Sequence, residues 1–244
     1  LPVILAYISI MKSTIQDKTK LVNSVFSKVH KKYDLMNDIM SLGIHRVWKN
    51  KFIDWMNPVQ NSKLIDVASG TGDIAKLFSQ KTKNLSTITC IEPNDKMFQE
   101  GKEILKDFNN INWIKGNAES LPAKDNVYDF YSISYGIRNV TDINKSLKEA
   151  YRVLKPGGRF LCLEFSKIDN EILNFFYKSY SKAIPVIGKY VAGASEPYEY
   201  LINSIDGFYS QKELLEIMIK NGFSNVEYRN LSNGISAIHS GWKV

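Results

Sequence analysis

The stretch Leu64-Ile65-Asp66-Val67-Ala68-Ser69-Gly70-Thr71-Gly72 constrains the fold more than any other part of the sequence. Apolar and β-branched residues around Asp66 read as a buried strand. The strand runs into a loop whose glycines, Gly70 and Gly72, let the backbone turn sharply and approach a ligand with no Cβ in the way. Ile74-Ala75-Lys76-Leu77-Phe78 then reads as a helix that begins near Asp73, so its N-terminal amides face the loop. Glu92 ends the next apolar run, Ile88-Thr89-Cys90-Ile91, which brings a carboxylate beside the loop within reach of two ribose hydroxyls. Strand, glycine loop, helix and acid-tipped strand together describe a nucleoside-binding βαβ unit.

Two ligand classes use such a unit. Gly70-x-Gly72-x-x-Ala75 formally satisfies the dinucleotide pattern, in which a helix N-terminus holds a pyrophosphate. Asp66 and Asp73 flank the loop with negative charge, which repels pyrophosphate. The same carboxylates suit a cationic ligand that carries an amino acid. S-adenosylmethionine, with its sulfonium and ammonium groups, is therefore favoured over a nicotinamide cofactor. The plain alternative makes Asp66 a loop hydrogen-bonder and Asp73 a helix cap.

Beyond residue 63 the pattern alternates: strands at 63–68, 86–92, 111–116, 128–134 and 158–165, with helices at 73–81, 94–107 and 142–154. Lys155-Pro156-Gly157-Gly158 reads as the turn between the last helix and strand. Such alternation builds a parallel sheet with helices on both faces. A helix at 210–221, closed by Gly222, leads to strands 224–231 and 234–242 across the hairpin signal Ser232-Asn233-Gly234. That hairpin brings in one antiparallel strand. The fold class is therefore α/β: a Rossmann-like, seven-stranded class I methyltransferase sheet. Ahead of it, residues 1–60 form a tail and helical cap, with Val22, Phe26, Val29 and Tyr33 at helical spacing and a second stripe of Trp48, Phe52, Trp55 and Met56. The domain at 61–244 carries a helical, aromatic insert at about 168–209, before the hairpin.

With 32 basic and 25 acidic residues, the net charge is +7. An anionic membrane surface, nucleic acid or a merely lysine-rich surface all fit that excess. Cys90 and Cys162 lie inside apolar runs, as core residues in a reducing compartment do, and three histidines without ligand spacing argue against a metal. The apolar segment from Val3 to Ile8 is too short to span a bilayer and lacks the basic lead and cleavage site of a secretory signal. Residues 1–10 read as lying upstream of a natural start at Met11.

Several further segments carry a family resemblance. They are the run from Phe26 to Asp38 (with Tyr33-Asp34-Leu35-Met36-Asn37-Asp38), Ser41-Leu42-Gly43-Ile44-His45-Arg46-Val47-Trp48-Lys49, Asn117-Ala118-Glu119-Ser120-Leu121-Pro122, Ser134-Tyr135-Gly136-Ile137-Arg138-Asn139-Val140 and Arg152-Val153-Leu154-Lys155-Pro156-Gly157-Gly158. Together with the glycine loop they resemble the ubiquinone and menaquinone biosynthesis C-methyltransferases, the UbiE/COQ5 family, over about residues 20–244. The glycine loop and the Lys-Pro-Gly-Gly turn occur in many methyltransferases, whereas the Tyr-Asp-x-Met-Asn-Asp and Tyr-Gly-Ile-Arg-Asn runs are far more specific. The resemblance implies methyl transfer from S-adenosylmethionine to a ring carbon of a polyprenylated benzoquinol or naphthoquinol. It carries cofactor positions onto Thr71, Glu92, Asn117, Ala118 and Ser134, beside Asp66, Gly70 and Gly72 of the loop. In two places the chain departs from pattern. Glu92 stands where bacterial members often have Asp, and Ala68-Ser69 replace the leading glycines of many methyltransferase loops.

The reaction needs a ring hydroxyl deprotonated so that the carbon becomes nucleophilic, and that carbon held in line with the methyl group. Arg138, just past the fourth strand, is the first candidate to stabilise a developing phenolate, though its own pKa is too high for it to be the base. The alternative for Arg138 is a structural anchor. Asn139 is a candidate to orient the second ring oxygen, and Tyr33, with Asp34 beside it, to close over the ring from the cap. His45 is a candidate base or a cap or core histidine, and Glu164 a loop hydrogen-bonder or a catalytic group. The aromatic insert is core or a tunnel for an isoprenoid tail. A lipid-borne substrate predicts peripheral attachment to a membrane, at the cytoplasmic face of a bacterial inner membrane or the matrix face of a mitochondrial one. The nine Lys/Arg against four Asp/Glu in the first 60 residues offer a basic docking face. A homodimer and a quinone-synthesis complex stay open as partners. A nucleic-acid methyltransferase is disfavoured, since there is no Asn-Pro-Pro-Tyr pocket, no cysteine placed as a pyrimidine nucleophile and no RNA-binding appendage. A non-catalytic subunit of a quinone-synthesis complex and a dehydrogenase complete the rival readings.

Overall fold

The structure, a computed structural model, describes residues 43–168 and 196–244 together with 18, 20, 22–25, 27, 38, 41 and 180. Tyr33, Asp34, the apolar segment 3–8 and the insert positions Phe175, Phe176, Tyr177, Ile184, Pro185 and Gly188 lie outside the described residues.

Helix α1 (His45–Met56) leads into strand β1 (Lys63–Val67), followed by α2 (Asp73–Lys81), β2 (Thr87–Glu92), α3 (Asp95–Ile104), β3 (Ile111–Lys115), β4 (Tyr128–Ser134), α4 (Ile143–Val153), β5 (Leu154–Phe165), α5 (Glu196–Asp206), α6 (Gln211–Lys220), β6 (Ser224–Leu231) and β7 (Ser236–Trp242). The strands form one sheet in the order β3-β2-β1-β4-β5-β7-β6. β1 to β5 pair in parallel, and β7 enters antiparallel between β5 and β6.

Side chains of a strand alternate between sheet faces, and the core divides accordingly. On one side Trp48, Phe52 and Met56 of α1 pack with Phe78 of α2 and with Tyr198, Leu201 and Ile205 of α5. On the other, Leu147, Ala150 and Val153 of α4 pack with Leu214 and Met218 of α6. Helix starts follow the capping residues of the sequence. Asp142 caps α4 by accepting from Lys145 N at 3.1 Å, and Ser210 with Glu213 forms a reciprocal capping box on α6.

Element bounds agree with the sequence pattern within a few residues. The largest difference is at Lys155-Pro156-Gly157-Gly158, expected as a turn ahead of the strand. Here β5 already pairs at Leu154 with Tyr128, then slips register so that Phe130 meets Arg159. The four residues form an irregularity inside the strand. Arg159, just beyond it, is held by the Trp55 carbonyl at 2.7 Å and by Ser240 Oγ at 2.7 Å, with its guanidinium over the Trp55 and Trp242 rings. Cys90 and Cys162 are separate, buried thiols. Among the described residues no helix is long and apolar enough to cross a membrane.

Candidate active site

β1 pairs with β2 on one side and β4 on the other, so chain connections diverge at its carboxyl end and open a crevice there. The loop after β1 lines it. Gly72 has φ +89° and a Cβ there would stand 2.5 Å from Leu105 Cδ1, so both conformation and space demand glycine. Glu92, at the tip of β2, fixes this loop: Gly70 N donates to its Oε2 and Asn94 N to its Oε1, both at 2.9 Å. Burial pushes the Glu92 carboxyl up to about 7 against the pull of those two amides.

Glu92, Gly70, Asn117, Ala118, Tyr135 and Asn139 line a cavity of about 300 Å³. Asn117 Oδ1 accepts from Glu119 N and Ser120 N, a local turn that holds the segment after β3 against the cavity. Residues of the N-terminal region cover it. Val22 and Asn23, which are helical, complete the lining. Asn94, the cap of α3, donates through Nδ2 to Asn23 O at 3.2 Å and Ser27 Oγ at 2.9 Å. Lys18 Nζ donates to Val140 O at 2.6 Å.

Asp66 lies deeper, beside a small cavity of about 30 Å³ lined also by Lys49, Gly70, Thr71, Asp73 and Ser134. Ser132, its neighbour across the β1–β4 ladder, donates Oγ to Asp66 Oδ1 at 2.6 Å. Asp66 Oδ2 and Ser134 Oγ are buried without a hydrogen-bond partner among the described residues. Burial raises the Asp66 carboxyl to about 7, outweighing the Ser132 bond. Lys49 Nζ pairs with Asp73 Oδ2 at 2.5 Å. Burial pushes Asp73 up, but the Lys49 ammonium more than offsets it and leaves this carboxyl below its ordinary value. The loop therefore carries less negative charge than two flanking aspartates suggest by sequence.

A one-turn 3-10 helix, Ile137–Asn139, follows β4 and carries both polar candidates. Arg138 Nη1 donates to Glu164 Oε1 at 2.6 Å and to Tyr135 O at 2.7 Å, its guanidinium stands 5.7 Å from the Phe165 ring centre, and Nε reaches Ser204 Oγ at 3.4 Å. Asn139 Oδ1 accepts from Tyr200 Oη at 2.8 Å. Arg138, Tyr200, Asn203, Ser204 and Phe208 line a second cavity of about 610 Å³. Val140 and Thr141 border both this cavity and the one that holds Glu92.

The sequence model of the ubiE/COQ5 methyltransferase family matches residues 12–243. The chain belongs to the ubiE/COQ5 methyltransferase family. It is 52% identical, over 93% of its length and 94% of theirs, to the ubiquinone/menaquinone biosynthesis C-methyltransferase UbiE of Rickettsia bellii (strain OSU 85-389). It is 42% identical to the mitochondrial 2-methoxy-6-polyprenyl-1,4-benzoquinol methylase of Dictyostelium discoideum, over 94% of this chain and 83% of that one. Solved structures share the fold: a SAM-dependent methyltransferase of Thermotoga maritima, described as a possible histamine N-methyltransferase, superposes with a TM-score of 0.62 at 22% identity over 91% of this chain and 99% of that chain. A SAM-dependent methyltransferase of Aquifex aeolicus gives 0.59 at 17% identity over 80% and 89%.

S-adenosylmethionine is the family's methyl donor, and the residues present fit it. The unpartnered Asp66 Oδ2 and Ser134 Oγ are buried polar atoms that a ligand's amino-acid end would satisfy. The cavity at Glu92 lies at the strand end where a ribose is held in this fold class. Of the sequence-derived positions, Asp66, Gly70, Thr71 and Ser134 gather at the small cavity, and Glu92, Asn117, Ala118 and Asn139 at the larger one beside it. Arg138 faces the second cavity, and Gly72 lines neither but shapes the loop. His45 lines none of these three cavities. Its Nε2 is 2.9 Å from Asp38 Oδ1 at the start of α1, and burial lowers its pKa.

Sequence reasoning missed Lys49, Asn94 and the role of Tyr200. For Lys49 a signal was present: the buried positions of α1 are His45, Trp48, Lys49, Phe52, Ile53 and Met56, so a cation occupies the apolar stripe. Asn94 and Tyr200 reach partners far away in sequence, and no spacing announces that.

Proposed function

We infer that this chain transfers a methyl group from S-adenosylmethionine to a ring carbon of a polyprenylated benzoquinol, a demethylmenaquinol or both, in ubiquinone and menaquinone biosynthesis. The C–CH3 bond forms as the S–CH3 bond breaks with its electron pair passing to sulfur, and the ring carbon loses its proton. One structural observation carries the reading. The segment following β4 is a shared wall: Asn139, Val140 and Thr141 face the cofactor-sized cavity, and Arg138, Val140 and Thr141 face the second one. A donor in the first and an acceptor ring in the second would meet across that wall.

Roles for side chains follow from this arrangement. Arg138, pinned by Glu164 and the Tyr135 carbonyl, is a preorganised cation at the ring cavity, suited to stabilising a phenolate as the hydroxyl loses its proton. Asn139, on the donor-cavity side of the wall, receives the Tyr200 hydroxyl on Oδ1, which leaves its amide N–H2 to donate to a ring oxygen that reaches through from the second cavity. Glu92 binds the ribose hydroxyls, Asp66 the amino-acid ammonium, and Asn117-Ala118 the adenine edge. Thr71 and Ser134, with Gly70 and Gly72 shaping the loop, complete the cofactor site.

The substrate is held in lipid, so the protein works at a membrane surface, with its basic N-terminal 60 residues as the docking face. Co-sedimentation with anionic liposomes, weakened by salt, tests this attachment; equal recovery with neutral liposomes removes it. The function itself is tested with purified protein, S-adenosylmethionine and a demethyl-polyprenyl quinol. Formation of the C-methylated quinol and S-adenosylhomocysteine is expected. Protein that binds the donor but methylates no such quinol would falsify it.

A further inference from the structure

Lys49 is a buried cation with one partner among the described residues. Its side chain is 8% exposed, yet among the described residues its Nζ has a single partner, Asp73, whose side chain is 42% exposed. An ammonium carries three donors, and Asp73 takes one of them. A buried charge held by one half-exposed carboxylate gains little net stability, because desolvation offsets the attraction. The position therefore suits a ligand better than a clamp.

The small cavity supplies the ligand's outline. Lys49 is the only cation among its described lining residues, and Asp66 and Ser134 present it with buried, unpartnered oxygens. One wall is cationic and another offers a carboxylate. That arrangement complements an α-amino acid, in which ammonium and carboxylate share one carbon.

We propose that Lys49 binds the α-carboxylate of S-adenosylmethionine while Asp66 binds its ammonium. This rests on the reading of the chain as an S-adenosylmethionine-dependent enzyme and adds the group that recognises the donor's carboxylate. Lys49 belongs to α1, so the amino-acid end of the donor ties that helix to the carboxyl end of β1. Asp73 stays beside the ammonium as a counter-ion at the solvent side.

Calorimetry with three nucleosides tests the assignment. S-adenosylhomocysteine carries both amino-acid groups, decarboxylated S-adenosylmethionine keeps only the ammonium, and 5′-methylthioadenosine has neither. Lys49→Met is expected to weaken S-adenosylhomocysteine by about ten- to a hundredfold, the worth of a charge-assisted hydrogen bond, and to leave the other two unchanged. Lys49→Arg should recover part of the loss. Asp73→Asn, which keeps the ammonium and removes its competitor, should bind S-adenosylhomocysteine at least as tightly as the parent. An equal loss for all three nucleosides in Lys49→Met, no loss for any, or a loss in Asp73→Asn comparable to that of Lys49→Met overturns the proposal. A parent protein that binds none of the three would instead remove the underlying reading of the chain.

Discussion

Arg138 and Glu164 form a buried ion pair across the ends of β4 and β5, Nη1 to Oε1 at 2.6 Å, with side chains 3% and 2% exposed. The pair is internally compensated. Burial pushes Glu164 up, and the Arg138 charge with the Phe165 and Arg138 hydrogen bonds pulls it part of the way back. Removing one partner strands the other charge, at a cost of about 3–5 kcal/mol. Arg138→Ala should therefore lower the melting temperature as well as turnover, the latter by about 10²–10³, while S-adenosylhomocysteine affinity persists. The two effects separate in the double variant Arg138→Met/Glu164→Leu, which removes both charges and is expected to regain stability without regaining turnover. Thermal melts alongside quinol methylation rates check this; turnover that returns with stability would take Arg138 out of the chemistry and make it a structural anchor.

On the proposed assignment, Asp66 and Glu92 give the cofactor site a pH dependence. Both titrate near 7 because burial disfavours their charged forms. A ligand ammonium at Asp66 favours the ionised form, so binding releases a proton at and below that pH, and affinity should rise as pH increases from about 6 to 8. Ligand-free stability has the opposite sign. Between the ordinary carboxylate value and about 7 the folded state holds more protons than the unfolded one, so the contribution of these groups is full below the ordinary value and is lost as pH rises through about 7. Burial lowers His45 and, to about 4, His239, which act the other way below their ordinary value of 6.5. The clean measurement is the difference between parent and Asp66→Asn: S-adenosylhomocysteine affinity against pH should flatten in the variant. A parallel slope in both proteins would assign the dependence elsewhere.

Much of the fold was legible because its signals are local. Period and punctuation locate β1, β2 and β4, and Gly70-Thr71-Gly72 announces a ligand loop before any packing is known. Position 68 is instructive. Many methyltransferase loops carry glycine in that region, and Ala68 adopts φ +53° all the same, so the conformation survives a Cβ that disfavours it. Long-range charge pairing was illegible. Lys49 with Asp73 and Arg138 with Glu164 come together only once the cap helix packs on the sheet and β4 lies beside β5. The two aspartates flanking the loop were thus read as bare charge, although one is neutralised by a lysine hidden in an apolar stripe.

Gly136 is where the cofactor loop and the Arg138 turn touch. A Cβ at Gly136 would lie 2.6 Å from Ala68 Cβ and 3.2 Å from Ile133 Cγ1, closer than carbon atoms pack. Gly136→Ala must push the segment after β4 away from the segment after β1, at about 1–3 kcal/mol of overpacking. Loss of both S-adenosylhomocysteine affinity and turnover is expected. Ala68→Gly in the same protein removes the opposing methyl and relieves the left-handed backbone at that position, so the double variant should recover both. Failure of that rescue, with the variant folded by circular dichroism, would mean the two segments do not depend on their contact.

On the proposed role of Asn139, Tyr200 acts at one remove. Its hydroxyl donates to Asn139 Oδ1 at 2.8 Å, linking α5 to the turn that follows β4, and burial raises its pKa, so it stays protonated as a donor at neutral pH. Removing the hydroxyl frees the Asn139 amide to rotate. Tyr200→Phe should cost about 0.5–1.5 kcal/mol in stability. It should also reduce kcat/KM for the quinol by about tenfold, a loss of positioning energy near 1.4 kcal/mol, while leaving S-adenosylhomocysteine affinity unchanged. A double-mutant cycle decides whether the effect passes through Asn139. In an Asn139→Ala background the Tyr200→Phe change should have no further effect on kcat/KM, because the amide that it positions is gone. Full additivity of the two substitutions would mean that Tyr200 meets the substrate by itself, as one wall of the second cavity, rather than through the asparagine.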